Sequence, residues 1–405
     1  ERIVGLLLGH GFDVGDNGEV VVVNTCTVKS PTESKIRKRL RELSAKGRSV
    51  VVAGCIPAAD QSIVEEFPVF SFIGTNVSDV VAAVEATASG GRYVNIGSSG
   101  DKMCIPKVRA NPIVEIVPIL EGCLGSCSYC IVRKARGALK SYPMADIVGR
   151  VREAVSEGVR EIWLTSQDNS AYGKDADSTL PELLRAVSEV EGEFMVRVGM
   201  ANPNHVAGFL DELVDAFTDE RIYRFLHVPV QSGSDTVLSE MGRRYIVDDF
   251  KAIVDAFRKR YDATISTDVI AGYPTETEEA FQETISLIKE VEPDVLNVSR
   301  FWARPGTEAA KLKQLPGRET KRRSRILNEV FEKVGFERNS KWVGWRGTAL
   351  ASEKNADGTY TCRNSHYKPI VIKSGKDVFG RFVNVEVREA TYFDLRGKIH
   401  VKELG

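Results

Sequence analysis

No stretch of this sequence stays apolar for long enough to cross a bilayer. The longest such runs, 3–8 and 20–23, fall far short of the ~20 residues a spanning helix needs. No secretory leader is expected. Net charge is almost absent as well, −1 over 405 residues, so bulk charge neither supports nor excludes a nucleic-acid partner, and the distribution of charge has to decide. Cysteines are few and odd in number, seven in all. Their clustering suits metal binding in a reducing compartment, the cytoplasm, better than a disulfide framework. The chain opens on Glu1 rather than on Met, inside what reads as the second half of a helix, so its start is expected to be shortened. Against these absences the composition is that of an ordinary soluble protein, 42% hydrophobic and 27% charged. Its length exceeds what one core serves, which predicts two or three domains.

What the chain does have is Cys123-Leu124-Gly125-Ser126-Cys127-Ser128-Tyr129-Cys130, three thiols at spacing C-x3-C-x2-C on a Gly/Ser-rich turn. Neither histidine nor a fourth cysteine lies within reach in sequence. A structural zinc site asks for four protein ligands, whereas cubane iron–sulfur clusters are held by thiolates in short irregular loops. Three thiolates can hold three corners of such a cube and leave the fourth iron open. An open iron implies chemistry; a closed one implies structure or electron transfer.

Hydrophobic periodicity divides the chain into an α/β protein of three regions. In the first, 1–100, β-rich runs at 20–25, 49–53 and 70–74 alternate with helical stretches at 34–46 and 77–88, which reads as a small parallel α/β domain. Cys26 and Cys55 fall just past the first two of those strands, where ligands gather in open α/β sheets. Each alone reads as a buried apolar cysteine; the pair points to a shared site. A linker, 101–112, carries Cys104. From 113 to 340, six strand candidates (113–120, 161–165, 194–199, 223–228, 264–270 and 295–301) alternate with helices and end in a basic helical stretch. Six such units predict an open (β/α)6 barrel with its site at the carboxyl edge of the strands. Polar clusters follow the strands, namely Ser166-Gln167-Asp168-Asn169, Asn202-Pro203, Gln231-Ser232-Gly233-Ser234, Gly272-Tyr273-Pro274 and Arg304-Pro305-Gly306-Thr307. Five at one edge argue for a pocket. Asp268, read as ending the fifth strand, faces that edge or caps a loop.

The last region, 341–405, has strand-like runs at 347–352, 359–363, 369–373 and 383–387 and predicts a small five-stranded β-barrel. It holds 12 Lys and Arg against 7 Asp and Glu, a local excess in a nearly neutral chain. Tyr360, Tyr367, Phe379 and Tyr392 are interleaved with those charges. A basic, aromatic barrel face suits single-stranded RNA through phosphate attraction and base stacking; for any one of these aromatics a place in the core is the plainer reading.

The three-cysteine motif carries the radical S-adenosylmethionine (SAM) signature, with aromatic Tyr129 before the last cysteine. The extended run from Cys123 to Gly137, CLGSCSYCIVRKARG, resembles the methylthiotransferases, and within them the archaeal and eukaryotic branch acting on threonylcarbamoyladenosine in tRNA. The resemblance extends over essentially the whole chain, and its last region looks like a TRAM domain. It implies two 4Fe–4S clusters and SAM as cofactors, tRNA as substrate and an electron-donor protein as partner, in a monomer with no DNA or membrane partner. Cys123, Cys127 and Cys130 would hold the cluster whose open iron chelates the amino and carboxylate groups of SAM. Reductive cleavage of SAM then yields a carbon radical able to take hydrogen from C2 of an adenine ring, which no side-chain base could do. Cys26 and Cys55 match two of the three ligands of the second cluster, where sulfur is delivered; the third belongs upstream of Glu1, and the surroundings of Cys104 match no ligand. By the same resemblance Tyr129, Ser166, Gln167 and Asp168, with Gln231 and Ser232, line the SAM pocket. Arg133, Lys134 and Arg136 read either as a solvated basic turn or as contacts to the tRNA backbone or the threonyl carboxylate.

Two other substrates fit the wider family, isopentenyladenosine in tRNA and an aspartate of a ribosomal protein. An apolar pocket without basic neighbours would favour the first and a weakly charged or acidic tail barrel the second; the run Ile131 to Gly137 favours threonylcarbamoyladenosine. A non-catalytic RNA-binding protein with a closed structural metal site is the reading from a different class. It predicts no cleavage of SAM.

Overall fold

A computed structural model describes residues 1–27, 30–97, 102–103 and 105–400. Cys104 lies outside the described residues. The chain forms two compact units, one of Glu1–Ala110, Glu121–Lys140 and Trp302–Lys311, the other of Asn111–Leu120, Ser141–Phe301 and Leu312–Gly405.

The first unit is built on a parallel four-stranded sheet of Val20–Thr25, Ser49–Gly54, Ser71–Ile73 and Val94–Asn95, paired in that order. Its second strand shows why the sheet forms. Val50, Val51, Val52 and Ala53 are all fully buried, because successive side chains leave a strand on opposite faces and both faces of this sheet are covered. Val50 and Val52 pack with Leu40, Leu43, Phe67 and Phe72, while Val51 and Ala53 meet Leu7, Ile73, Val80 and Val84. Helix Ser30–Ala45 therefore covers one face, and helices Arg2–Gly9 and Val80–Ala88 the other. Val94–Asn95 is a fourth strand that the sequence pattern did not announce.

In the second unit six parallel strands lie where the pattern predicts them, Val114–Pro118, Glu161–Thr165, Met195–Val198, Phe225–His227, Thr264–Ala271 and Val295–Arg300. They make two three-stranded sheets that Val196 joins, its N–H donating to the Arg221 carbonyl at 2.7 Å and its carbonyl accepting from Tyr223 N–H at 3.0 Å. Among the described residues no ladder runs from the last strand to the first, so the barrel is open. The long helix Gly317–Ser340 leads into a closed five-stranded barrel of Arg346–Lys354, Tyr360–Asn364, Pro369–Lys373, Phe382–Ala390 and Leu395–Ile399. Alternate residues fill it: Ala349 and Ala351, Ile370 and Ile372, Val385 and Val387, with Leu395.

The barrel aromatics are placed otherwise than a stacking platform requires. Tyr360 belongs to the barrel core and Phe379 packs against it. Tyr367, with φ +59°, is wedged against the rings of Tyr223 and Phe225, with centroids 4.7 and 5.0 Å away, and under the Arg363 guanidinium. Tyr392 alone of the four is exposed, beside the more exposed Phe393. Tyr360 is buried and Tyr367 and Phe379 half-buried, because an aromatic body gains by leaving water.

One carboxylate ties this unit together. Asp294 is wholly buried at the start of the sixth strand and accepts from Lys368 Nζ at 2.8 Å, Arg338 Nε at 3.1 Å and Ile265 N–H at 2.9 Å. It thus joins the barrel sheet, the long helix and the small barrel. The cations hold its carboxyl below the usual carboxylate range against the opposing cost of burial. Removing the charge leaves buried Lys368 uncompensated. Asp294→Asn is therefore expected to lower stability by about 3–5 kcal/mol. Glu290→Gln, which loses the solvent-facing pair with Lys251, should cost less than about 1 kcal/mol. Urea unfolding of the two variants checks the difference.

Candidate active site

The three cysteines sit on a loop whose shape is set at its base. Gly122 has φ +71°, and a Cβ there would lie 1.8 Å from the Ala138 carbonyl oxygen. Only glycine allows the two ends of the loop to pass this closely. Cys123 N–H donates to the Gly137 carbonyl at 3.4 Å, and Cys130 N–H to the Cys127 carbonyl at 3.1 Å. Inside the loop, backbone N–H groups turn toward sulfur: Gly125 donates to Cys123 Sγ at 3.2 Å and Val132 to Cys130 Sγ at 3.4 Å. Such donors favour the thiolate over the thiol.

All three cysteines line one pocket of about 200 Å³, together with Gly125, Arg133, Thr307 and Glu308. Gly125 leaves the cradle open, since a Cβ there would stand 3.2 Å from Cys123 Sγ and 3.6 Å from Cys127 Sγ. Among the described residues no three His, Cys, Asp or Glu side chains converge on the position of a single metal ion. A 4Fe–4S cube does not ask for that, because each cysteine binds a different iron at a different corner. Three sulfurs around one open pocket, two of them with backbone donors, fit a cube.

The short helix Val132–Arg136 follows at once. Its Arg133 and Lys134 are exposed and Arg136 is half-buried. Ile131, just before the helix, and Ala135 within it pack with Cys55 and Ala59. Cys55 opens helix Cys55–Ala59 directly after strand Ser49–Gly54 and is buried, while Cys26, after the neighbouring strand, is exposed. Thr25 Oγ couples the two strand ends, donating to the Ala53 carbonyl at 2.6 Å and accepting from Ile56 N–H at 3.2 Å. Tyr129 lies half-buried in the turn between Cys127 and Cys130.

The remaining expected site residues belong to the other unit and gather into two polar groups at the strand ends. After the second strand, Asp168 is buried, and its Oδ1 accepts from Ser170 N–H, Ser170 Oγ and Asn202 N–H at 3.1, 2.5 and 3.1 Å. Its other oxygen faces His205 Nε2 at 3.7 Å. Burial pushes the His205 imidazole down, with Asp168 pulling it back up. Ser166 Oγ donates to Asn169 and accepts from Asp168 N–H. Gln167 differs from its neighbours, because its Oε1 is buried without a hydrogen-bond partner among the described residues. A buried carbonyl oxygen left unpaired is costly, and a ligand donor would relieve it.

In the second group Gln231 is buried and holds a left-handed backbone, φ +72°, a conformation that costs a non-glycine residue about 1–3 kcal/mol and recurs at ligand sites. Its N–H and carbonyl are locked to Asp268 O and Ile270 N at 2.8 and 2.9 Å. Asp268 does not end its strand, which continues to Ala271; its carboxylate accepts from Asn297 at 2.8 Å and faces His227 Nε2 at 3.1 Å. Ser232 is fully buried with its hydroxyl toward Thr284 and Ser234 N–H, so it shapes the loop rather than facing a ligand. Sequence context assigned no function to His205 or His227. The signal for His205 was its place two residues beyond Asn202-Pro203, at the third strand's polar cluster.

Residues 117–288 match the Radical SAM superfamily, and residues 1–74 match the Uncharacterized protein family UPF0004. The chain is 43% identical over 390 residues to the probable threonylcarbamoyladenosine tRNA methylthiotransferase of Pyrococcus abyssi, covering 95% of this chain and 91% of that one. It is 41% identical over 396 residues to that of Archaeoglobus fulgidus, covering 96% and 92%. With the human threonylcarbamoyladenosine tRNA methylthiotransferase it shares 37% over 413 residues, covering 98% of this chain and 71% of that one. Among solved structures, the radical S-adenosylmethionine methyltransferase TsrM of Kitasatospora setae superposes with a TM-score of 0.56 at 14% identity, over 76% of this chain and 73% of that chain, a likeness of fold alone. With its three-thiol pocket, its open parallel barrel and relatives over nearly its whole length, the chain belongs to the threonylcarbamoyladenosine tRNA methylthiotransferases of the radical SAM superfamily.

Proposed function

We propose that this chain converts N6-threonylcarbamoyladenosine in tRNA, next to the anticodon, to its 2-methylthio derivative, with SAM and two 4Fe–4S clusters as cofactors. The observation that carries the reading is the single pocket onto which Cys123, Cys127 and Cys130 all open, with a glycine in place of any side chain between two of the sulfurs. These three thiolates would hold one cluster, and Cys26 and Cys55 would contribute to the second. When bound, the first cluster supplies the electron that cleaves SAM, giving a species that can take hydrogen from C2 of adenine.

The protein's own work is to bind, orient and keep water out. Gln167 offers SAM a buried acceptor, and Gln231 a backbone already held in its strained form. Asp168, Ser166 and Ser232 brace the loops that carry these contacts, while Tyr129 shapes the turn beside the cluster. Asp268, oriented by His227 and Asn297, is the acid on the SAM side of the barrel. Arg133, Lys134 and Arg136 are assigned to the tRNA phosphates or the threonyl carboxylate, on the strength of their position immediately beyond the cysteine loop. A donor protein supplies electrons, and the enzyme acts as a cytoplasmic monomer. No helix among the described residues is long and apolar enough to cross a membrane. The division into 1–100, 101–112, 113–340 and 341–405 is proposed with this function.

Nucleoside mass spectrometry tests it. Full-length protein, reconstituted anaerobically and given SAM, reductant and tRNA bearing threonylcarbamoyladenosine, is expected to yield the 2-methylthio nucleoside. Cleaved SAM without that product would discard the substrate. A second prediction concerns the loop base: Gly122→Ala is expected to lower bound iron per chain after reconstitution, because its Cβ would displace the Ala138 carbonyl. Gly149→Ala, whose Cβ meets nothing within 4 Å, should load as the parent does; iron and sulfide assays compare them.

A further inference from the structure

Arg304 lies far from either cysteine loop in sequence but is buried within the first unit. Its Nη2 donates to the Thr27 carbonyl, to the Thr27 hydroxyl and, at 2.6 Å, to Glu33 Oε2. Thr27 is the residue after Cys26. Glu33 in turn receives Arg37 Nε at 3.2 Å, and Arg37 Nη2 reaches Asp60 at 2.6 Å, the residue that closes the helix begun by Cys55. One chain of charge-assisted bonds thus runs from Arg304 past both cysteines of the second site.

The segment that carries Arg304 turns immediately toward the first site. Thr307 folds back on the Arg304 carbonyl through its N–H at 3.1 Å and its hydroxyl at 2.8 Å. Gly306, Thr307 and Glu308 line the pocket of the three cysteines, and Ala309 N–H donates to the Ser128 carbonyl at 2.9 Å, beside Cys127. Residues 304–309 therefore hold Thr27, the residue after Cys26, with one end and the three-cysteine loop with the other. We propose that Arg304 is a positioning residue that sets the separation of the two iron–sulfur sites, so that sulfur insertion depends on it while SAM cleavage does not. All three acceptors gather on Nη2, at the tip of a rigid planar group, so the point at which they meet is fixed by the guanidinium plane, which a shorter ammonium on a flexible stem does not reproduce. The inference rests on the proposed function for its chemistry, though not for its geometry.

The test uses Arg304→Lys, which keeps the charge opposite Glu33, and Thr27→Val, which keeps shape and removes one acceptor. Both are expected to bind as much iron as the parent and to release 5′-deoxyadenosine from SAM at the parent's rate. The 2-methylthio product should fall by about 100-fold in Arg304→Lys, the loss that a misplacement of ~1 Å imposes on positioned reactants. Electron paramagnetic resonance of the reduced proteins, recorded without tRNA, should show a weaker magnetic interaction between the clusters than in the parent. Equal loss of cleavage and product in Thr27→Val would overturn the proposal, as would parental product and parental cluster interaction in both variants. A parent protein that makes no methylthio product would instead overturn the substrate reading, and the resonance measurement would still decide the role of Arg304.

Discussion

Three thiolates share one cluster only if the backbone that carries them turns its sulfurs toward a common void, and here that constraint is met by the close passage of Gly122 beside Ala138. The loop between them is short, so pinning its ends leaves few conformations for the residues inside. Gly125 and Val132 direct their N–H groups to sulfur. Arg133 is brought to the rim of the same pocket because the helix starts one residue after Ile131, whose side chain is buried against the second cysteine site. The chemistry of the molecule follows from a few ångströms of backbone geometry at one glycine.

Within each unit, paired charges as well as apolar packing hold the elements together. In one unit Arg304, Glu33, Arg37 and Asp60 form a run of alternating sign under the cysteine turns. In the other, Asp294 gathers cations from the long helix and the small barrel. Buried ion pairs add little net stability, because desolvating the two charges offsets their attraction. They fix a register, and a site in which two clusters and a substrate must meet needs register more than it needs another kcal/mol.

Much of the fold was legible because valine-rich runs admit no other reading. Strand Glu161–Thr165 falls where alternation predicts it, and the other barrel strands differ by a few residues at their ends. Val94–Asn95 and Leu395–Ile399 were not legible: the first is two residues long, and the second, LRGKI, carries two cations and a glycine on a barrel strand with one buried side. Interleaving with Lys and Arg in sequence says nothing about which side of a strand an aromatic leaves, and Tyr360 takes the core place that was its plainer reading. The cysteine motif was legible because its spacing is local. Arg304 and His205 were not, since their partners lie at Thr27, Glu33 and Asp168, and only the folded chain brings those together.

The most direct measurement is the cleavage of SAM by the anaerobically reduced protein and by its Cys127→Ala variant, followed as methionine and 5′-deoxyadenosine. The account predicts both products from the parent and neither from the variant, because two thiolates cannot hold the cube with its open iron. Cleavage that persists without Cys127, or a parent that binds iron and leaves SAM intact, would contradict it.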